Sequence, residues 1–486
     1  MIPLTAEEAG RALGLAPLAG DVCGISIDSR TIREGDLFVA LCGERFDGHV
    51  FVDQALRAGA SGAVVLRGTV AEGGPLYEVD DTLDALWALA RSVRLRSRAT
   101  VFAVTGSAGK TSTKDLLAAM VGRVRRVVAT SANQNNEVGV PLTLLSIEPT
   151  TEAVVVEMGM RGRGQIAALA EVALPDVGVI TNIHPVHLEL LGTLEAIAQA
   201  KAELVRGLRP DGTGVIPADC SVLQPYARDS ARRLVTWGGG SGPVVADVTG
   251  TLDVRGGESG CALHLCWPGG EVEIETPAMP EHAVANAVAA AAACYAAGLP
   301  VEECAKGIAG ARLSAGRGEM LHCGGLWLID DTYNANPAAV RAALDHLMRA
   351  AGARGGRPVA VLGDMLELGP EAEAYHEEAG AYAAAVGVKS LWGVGPLARA
   401  TAQGFQAAWE AKTGCEGEWA RGHVGSSEET STIAAGLREG DVVLFKGSRG
   451  MHLEKMVQWV VEEAEAGRWS SRGTAACTED EAKEIR

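Results

Sequence analysis

The residue types and spacing best suited to chemistry stand together in Val104-Thr105-Gly106-Ser107-Ala108-Gly109-Lys110-Thr111-Ser112. A phosphate-binding loop usually reads G-x-x-x-x-G-K-[ST], and counting back from Gly109-Lys110-Thr111 puts Val104 where the first glycine would stand. Glycine comes later, at Gly106. The shorter T-G-x-x-G-K-T loop still supplies what a nucleotide needs: backbone amides of Gly106, Ser107, Ala108, Gly109 and Ser112 to face phosphate oxygens, Lys110 for the terminal phosphates, and the Thr111 hydroxyl for magnesium. ATP is the expected ligand. A surface turn in a chain with 61 glycines is the competing explanation.

Three further positions could serve that chemistry. Glu157 directly follows Ala153-Val-Val-Val156, which puts a carboxylate at a strand end beside the loop if the two strands are neighbours. It is a magnesium-ligand candidate, with a solvated surface glutamate as the alternative. Thr181-Asn-Ile-His184-Pro-Val-His187 similarly caps Val177 to Ile180 and offers two imidazoles, of which at most one needs to act. Lys201 lies in the helical stretch Leu194 to Leu204, where an exposed lysine is the plain expectation.

The elements that must position these residues follow an α/β rhythm. Ala99 to Val104 is β-branched and apolar, as a buried strand is, and Thr113 to Met120 has apolar residues at helical spacing, so the loop sits between strand and helix. Residues 1–98 alternate short strand-like pieces (Gly24 to Ile27, Leu37 to Leu41, Gly62 to Leu66) with helical ones such as Val52 to Ala58, and form a small α/β domain. Residues 99–311 form a parallel-sheet ATP-binding domain, whose polar strand ends are where such sheets place ligands. Residues 312–468 repeat the alternation with strands at Leu326 to Ile329, Pro358 to Leu362, Ser390 to Gly393 and Asp441 to Phe445, a Rossmann-like doubly wound domain. Residues 469–486 are a polar tail.

Composition excludes several classes. At 486 residues the chain is long enough for about three domains of ~150 residues. Hydrophobic content of 47% with 21% charged residues is that of a globular enzyme. The Ala-rich run from Ala283 to Ala297, interrupted by Asn286, reads as a buried helix rather than a membrane span. A net charge of −18 argues against a nucleic-acid surface. Ten cysteines without a C-x-x-C pair and ten histidines without H-E-x-x-H argue against zinc sites and disulfide frameworks. Met1 to Glu8 carries no secretory signal, so a cytoplasmic protein is expected, with a monomer as the simpler default.

The order T-G-x-x-G-K-T, strand-end Glu157, N-x-x-x-x-H from Asn182 to His187 and A-K-x-E around Lys201 resembles the Mur ligases of peptidoglycan synthesis. Further segments resemble the family member that adds D-alanyl-D-alanine to UDP-N-acetylmuramoyl-tripeptide. These are Asp28-Ser-Arg30, Phe46-Asp-Gly-His49, Asn133-Gln-Asn-Asn-Glu137, Glu157-Met-Gly-Met-Arg161, Asp330 to Pro337, Gly363 to Gly369 and Lys446-Gly-Ser-Arg449. The resemblance spans roughly residues 20 to 460. It implies that Lys110 and the loop amides hold the β- and γ-phosphates, that Thr111 and Glu157 hold one magnesium ion, and that His187 serves a second. Lys201 matches the lysine that family members carbamylate with CO2, which turns an ammonium into a carboxylate-like metal ligand. Asp28, Ser29, Arg30 and His49 fall where the family binds the UDP end of its substrate, with Asn135 and Asn136 also on the substrate side. Asn286, Arg317 and Asp331 fall at the nucleotide, and Asn334, Asn336 and Arg449 near the incoming dipeptide. The family's G-x-H-N-x-x-N stands here as Pro280-Glu-His282-Ala-Val-Ala-Asn286, without the Gly and first Asn. His184 replaces a usual glycine, and His452 stands where a basic residue is common.

The implied reaction activates the tripeptide carboxylate as an acyl phosphate, which the dipeptide amine then attacks. The third domain would close over the second by a hinge near residues 311–316 to exclude water. A ligase adding the third peptide residue or glutamate to folate shares the loop and metal residues, but Gly363 to Gly369 speaks against both. A switch or motor ATPase would more often carry the full-length loop and a strand-end Asp in the same domain.

Overall fold

The strand runs that flank the loop pair in parallel, and their alternating side chains feed two separate cores. In Thr100–Thr105, Val101 and Ala103 face one apolar cluster while Phe102 and Val104 face another. A strand buried on both faces must be apolar at every position, which is why these segments read as continuous runs rather than alternations. The computed structural model describes residues 1–43, 46–132, 134–186, 188–230, 232–239, 245–254, 261–276, 281–413 and 420–466. The polar tail and the segment holding Pro280 lie outside them.

Three α/β layers follow in chain order. The first sheet is parallel, with strands β1 (Ile25–Ser26), β2 (Leu37–Val39), β3 (Gly62–Leu66) and β4 (Leu76–Val79) in sequential order. The second contains β5 (Thr100–Thr105), β6 (Val127–Ala129), β7 (Ala153–Glu157), β8 (Val177–Ile180), β9 (Thr213–Pro217), β10 (Arg233–Gly239), β11 (Val248–Val254), β12 (Cys261–Trp267) and β13 (Gly270–Thr276). Its order is β13-β12-β11-β10-β9-β8-β5-β7-β6, parallel except for the antiparallel β11-β12-β13 ribbon at one edge. The sequence reading missed that ribbon, because its exposed face interrupts the apolar runs on which the parallel strands were recognised.

The third sheet holds β14 (Glu319–Cys323), β15 (Leu326–Asp331), β16 (Arg357–Gly363), β17 (Ser390–Val394), β18 (Ala420–Val424) and β19 (Asp441–Lys446), ordered β14-β15-β19-β16-β17-β18. Only β14 runs antiparallel among these strands. The Ala-rich segment is the helix Glu281–Ala296, with Ala287 through Cys294 fully buried. Its small side chains let it lie close against the sheet and the loop helix. Among the described residues, no helix is long and apolar enough to cross a membrane.

Candidate active site

Strand β5 lies between β8 and β7, so the carboxyl ends of three neighbouring strands open on the same side. Register pairs Val104 with Glu157 and Thr105 with Ile180, which brings the phosphate loop between Glu157 and the Thr181 segment. A cavity of about 1100 Å³ lies there, closed from the other side by the third sheet. Its walls include Ser107 to Ser112, Asn135, Asn136, Glu157, Asn286, Arg317, Asp331, Asn334, Asn336 and Arg449.

The loop is held from behind. Gly109 takes φ 76° ahead of the helix Lys110–Val121, which carries no side-chain cap. Its first-turn amides are therefore left to a ligand, and the positive end of the helix faces the cavity. Ala108 N donates to Asn182 Oδ1 at 2.8 Å, and the Ala108 carbonyl accepts from Thr181 Oγ1 at 2.6 Å and Asn182 Nδ2 at 3.1 Å. Ser107 Oγ exchanges hydrogen bonds with the backbone of His184. The Thr181 to His184 segment thus acts chiefly as a clamp. Burial pushes the His184 imidazole below its ordinary range.

Close packing makes the glycines testable. A Cβ on Gly106, at φ +153°, would stand 1.8 Å from Thr181 Oγ1, and one on Gly109 would stand 2.3 Å from Asn286 Oδ1. Gly106→Ala must displace the hydroxyl that clamps Ala108. Its ADP affinity, followed by equilibrium titration, should fall more than about tenfold, equivalent to about 1.4 kcal/mol. Unchanged affinity would show that the loop tolerates that displacement.

Two lysines converge on this loop. Lys110 Nζ donates to the Gly106 carbonyl at 2.8 Å and to that of Ser107 at 3.4 Å, while Lys201 Nζ donates to the Gly106 carbonyl at 2.9 Å. Burial lowers the Lys110 pKa, opposed by the nearby Glu157 carboxylate and reinforced by Arg317. Lys201 is only 2% exposed, against the expectation of an exposed helical lysine. Burial first, and the Lys110 charge second, hold its pKa well below the ordinary 10.5. The helix Leu194–Lys201 ends at this lysine, and its buried face carries Ile197 and Ala200 into the core.

Glu157 is 1% exposed, so the solvated alternative fails. Its Oε1 accepts from Asn135 Nδ2 at 2.7 Å, and its backbone N–H donates to Thr130 Oγ1 at 3.0 Å. Its Oε2 is buried without a hydrogen-bond partner among the described residues. A buried carboxylate oxygen left unpaired is strongly unfavourable unless a cation or water meets it. That oxygen fits an oxygen-seeking divalent ion such as magnesium, and Thr111, on the adjacent helix, lines the same cavity.

Across the cavity, Arg317 Nη2 donates to Thr111 Oγ1 at 2.7 Å and its guanidinium lies 3.7 Å from the centre of the Tyr333 ring. Arg449 approaches the same ring at 5.1 Å. Asp331 accepts from Lys446 Nζ at 2.6 Å, and β15 and β19 place these two residues side by side. Asn336 caps the helix Pro337–Arg354 through Ala339 N at 2.9 Å, and Asn334 Oδ1 accepts from Ala335 N at 2.9 Å.

The N-terminal candidates form a separate group on the first layer, outside the cavity walls. Asp28 receives Arg30 through its backbone N–H and guanidinium, and the Arg30 side chain holds its pKa down to about 2. Ser29 is buried beside them. His49 Nδ1 lies 2.7 Å from Asp47 Oδ1 and Nε2 accepts from Leu66 N at 3.0 Å. The Leu66 bond fixes the proton on Nδ1, so this imidazole orients Asp47 rather than binding a metal with the nearby Cys42 thiol. His187 lies outside the described residues.

Sequence reasoning missed Asn182, Thr130, Tyr333 and Lys446 as working parts of the site. Lys446 and Thr130 were accessible by the rule that parallel strand ends carry the chemistry, since one ends β19 and the other follows β6. The pairing that puts them beside Asp331 and Glu157 emerges only from strand order.

Comparison with known proteins agrees with this arrangement. Three family models match: the Mur ligase family catalytic domain over residues 21–120, the Mur ligase middle domain over 104–294, and the Mur ligase glutamate ligase domain over 316–449. A relative from Bacillus subtilis, UDP-N-acetylmuramoyl-tripeptide--D-alanyl-D-alanine ligase, is 36% identical over 90% of this chain and 93% of its own. The crystal structure of MurF from Acinetobacter baumannii superposes with a TM-score of 0.82 at 30% identity, covering 95% of this chain and 99% of that one. MurF ligase from Thermotoga maritima in complex with ADP gives 0.78 at 28% identity, covering 91% and 98%. With its loop, strand-end carboxylate and facing parallel sheets in place, the chain belongs to the Mur ligase family.

Proposed function

We propose that this chain is the ATP-dependent ligase that joins D-alanyl-D-alanine to UDP-N-acetylmuramoyl-tripeptide, giving the pentapeptide, ADP and phosphate in the cytoplasmic stage of peptidoglycan synthesis. The protein acts as a monomer. The observation that carries the chemistry is the unpartnered Glu157 Oε2 beside the phosphate loop. The substrate assignment is supported by the name shared by the relatives.

A carboxylate and an amine do not condense at neutral pH, because hydroxide leaves poorly and the carboxylate repels nucleophiles. Phosphorylation of the tripeptide carboxylate removes both obstacles. Loop amides from Gly109 to Ser112, which unlike those of Ser107 and Ala108 are not taken up by Asn182, hold the triphosphate, and Lys110 meets charge developing on the transferred group. Thr111 and Glu157 would hold one magnesium ion, and His187 with carbamylated Lys201 a second, supplying charge neutralisation along the phosphates. Arg317 and Asp331 bring the third sheet to the nucleotide, with Asn286 at its other side. Asn135 and Asn136 orient the acceptor carboxylate, Asp28, Ser29, Arg30 and His49 secure the UDP end, and Asn334, Asn336 and Arg449 receive the dipeptide. Closure of the third sheet over the loop excludes water from the acyl phosphate.

Tripeptide labelled with ¹⁸O in its terminal carboxylate should pass one label to the released phosphate. Unlabelled phosphate would show that water, not the carboxylate, accepts the phosphoryl group. Glu157→Gln keeps the side-chain shape and an acceptor for Asn135 while removing the charge. Its turnover should fall about 10²-fold and its magnesium requirement should rise, measured as rate against magnesium concentration. An unaltered magnesium dependence would remove Glu157 from the metal site.

A further inference from the structure

Thr111 and Asp115 lie four residues apart on the loop helix Lys110–Val121, hence on one face a turn apart. Both are gripped by the segment leading into the third sheet. Ser314 donates its backbone N–H and its hydroxyl to the same oxygen, Asp115 Oδ2, each at 2.8 Å. Arg317, three residues on, reaches Thr111 Oγ1 at 2.7 Å.

Asp115 is itself fixed. Its other oxygen pairs with Lys114, and the two side chains are only 11% and 4% exposed. Lys114 Nζ also donates to the Thr130 carbonyl at 3.0 Å, and the Thr130 hydroxyl accepts from Glu157 N. One connected path therefore runs from the Glu157 strand end through Lys114 and Asp115 to the linker. Position 115 lies beyond the first helical turn, where the helix dipole gives a carboxylate little stabilisation. Its partners, not the helix, account for the acid there.

Beyond Ser314 the segment is stiffened. Tyr333 N donates to the Gly316 carbonyl at 3.1 Å, Gly316 turns at φ +72° against Thr332, and Arg317 stacks on Tyr333. These contacts hold Gly316 and Arg317, two and three residues beyond Ser314, against Tyr333.

We propose that Asp115 is a positioning residue for the ligation: it sets the register of Ser314 so that Arg317 arrives at the Thr111 edge of the phosphate cradle when the third sheet closes. This rests on the ligase reading above. Asp115 is not among the residues that wall the phosphate-loop cavity, so its effect on ATP binding is indirect and smaller than its effect on turnover. A misplacement of about 1 Å at a transferring phosphoryl group lowers rate by up to about 10²-fold.

The test compares wild type, Asp115→Asn and Ser314→Ala for kcat, for ATP affinity without peptide, and for thermal midpoint. Asp115→Asn should lose about 10²-fold in kcat. Ser314→Ala, which keeps its backbone donor, should lose several-fold and retain the wild-type melting transition. ATP affinity should change less than about threefold in both. The double variant should be no slower than Asp115→Asn, because both changes break one contact. Wild-type kcat in both variants, or loss of kcat matched by equal loss of ATP affinity, overturns the proposal. If Asp115→Asn does not fold, Ser314→Ala decides by the same criteria. Wild-type protein that binds ATP yet joins no peptide overturns the ligase reading and this inference with it.

Discussion

Lys110→Met is expected to lower ligation by about 10³-fold or more, through kcat rather than through loss of fold. Methionine reproduces the lysine stem out to Cε but carries no charge to meet the transferring phosphoryl group. The change should not weaken the protein, because burial already disfavours the Lys110 ammonium and its amine holds only loop carbonyls. Steady-state rates and a melting curve separate the two effects. A variant that melts like wild type and turns over at the wild-type rate would show that the amine takes no part in the transfer.

Lys201→Ala should be nearly as damaging, with a loss of about 10²- to 10³-fold, and a short-chain carboxylic acid should restore part of the activity. The physical basis is the unusual state of the amine. A carbamate forms only from a neutral amine, and burial together with the Lys110 charge holds Lys201 well below its ordinary 10.5. An ammonium there would oppose both Lys110 and a metal ion. Lowering the pH through the folded pKa should protonate the amine and lower activity, and removing dissolved CO2 should do the same at constant pH. Wild-type activity in unrescued Lys201→Ala would eliminate the carbamate.

The same shift has a consequence for stability. Between the lowered folded pKa and 10.5 the unfolded amine holds a proton that the folded one does not, so the unfolded state binds more protons. Stability of the unmodified protein therefore rises with pH across that window. Lys201→Met should flatten this dependence in a pH series of denaturant titrations.

The strands of the ligase site were legible because both faces of β5, β7 and β8 are buried, leaving unbroken apolar runs that end at Thr105, Glu157 and Ile180. Local sequence also marked the loop and its helix. The burial of Lys201 was not legible from helical spacing, since its neighbours Ala200 and Ala202 fit an exposed or a buried face equally well. Only the packing of its helix beneath the loop decides that, at a carbonyl of Gly106, 95 residues away.

The pairing of Asp331 with Lys446 likewise depends on β19 being inserted between β15 and β16. Such crossovers leave no trace in either strand alone. Family resemblance supplied roles for Arg317 and Asn286. Their contacts with Thr111 and close approach to Gly109 arise from folding of segments that are remote in sequence.

Release of phosphate from ATP, followed with and without each peptide substrate, tests the ligase assignment most directly. Fast release should require both UDP-N-acetylmuramoyl-tripeptide and D-alanyl-D-alanine and should match pentapeptide formed, one for one. Equally fast release with neither substrate present would contradict ligation and leave an ATPase.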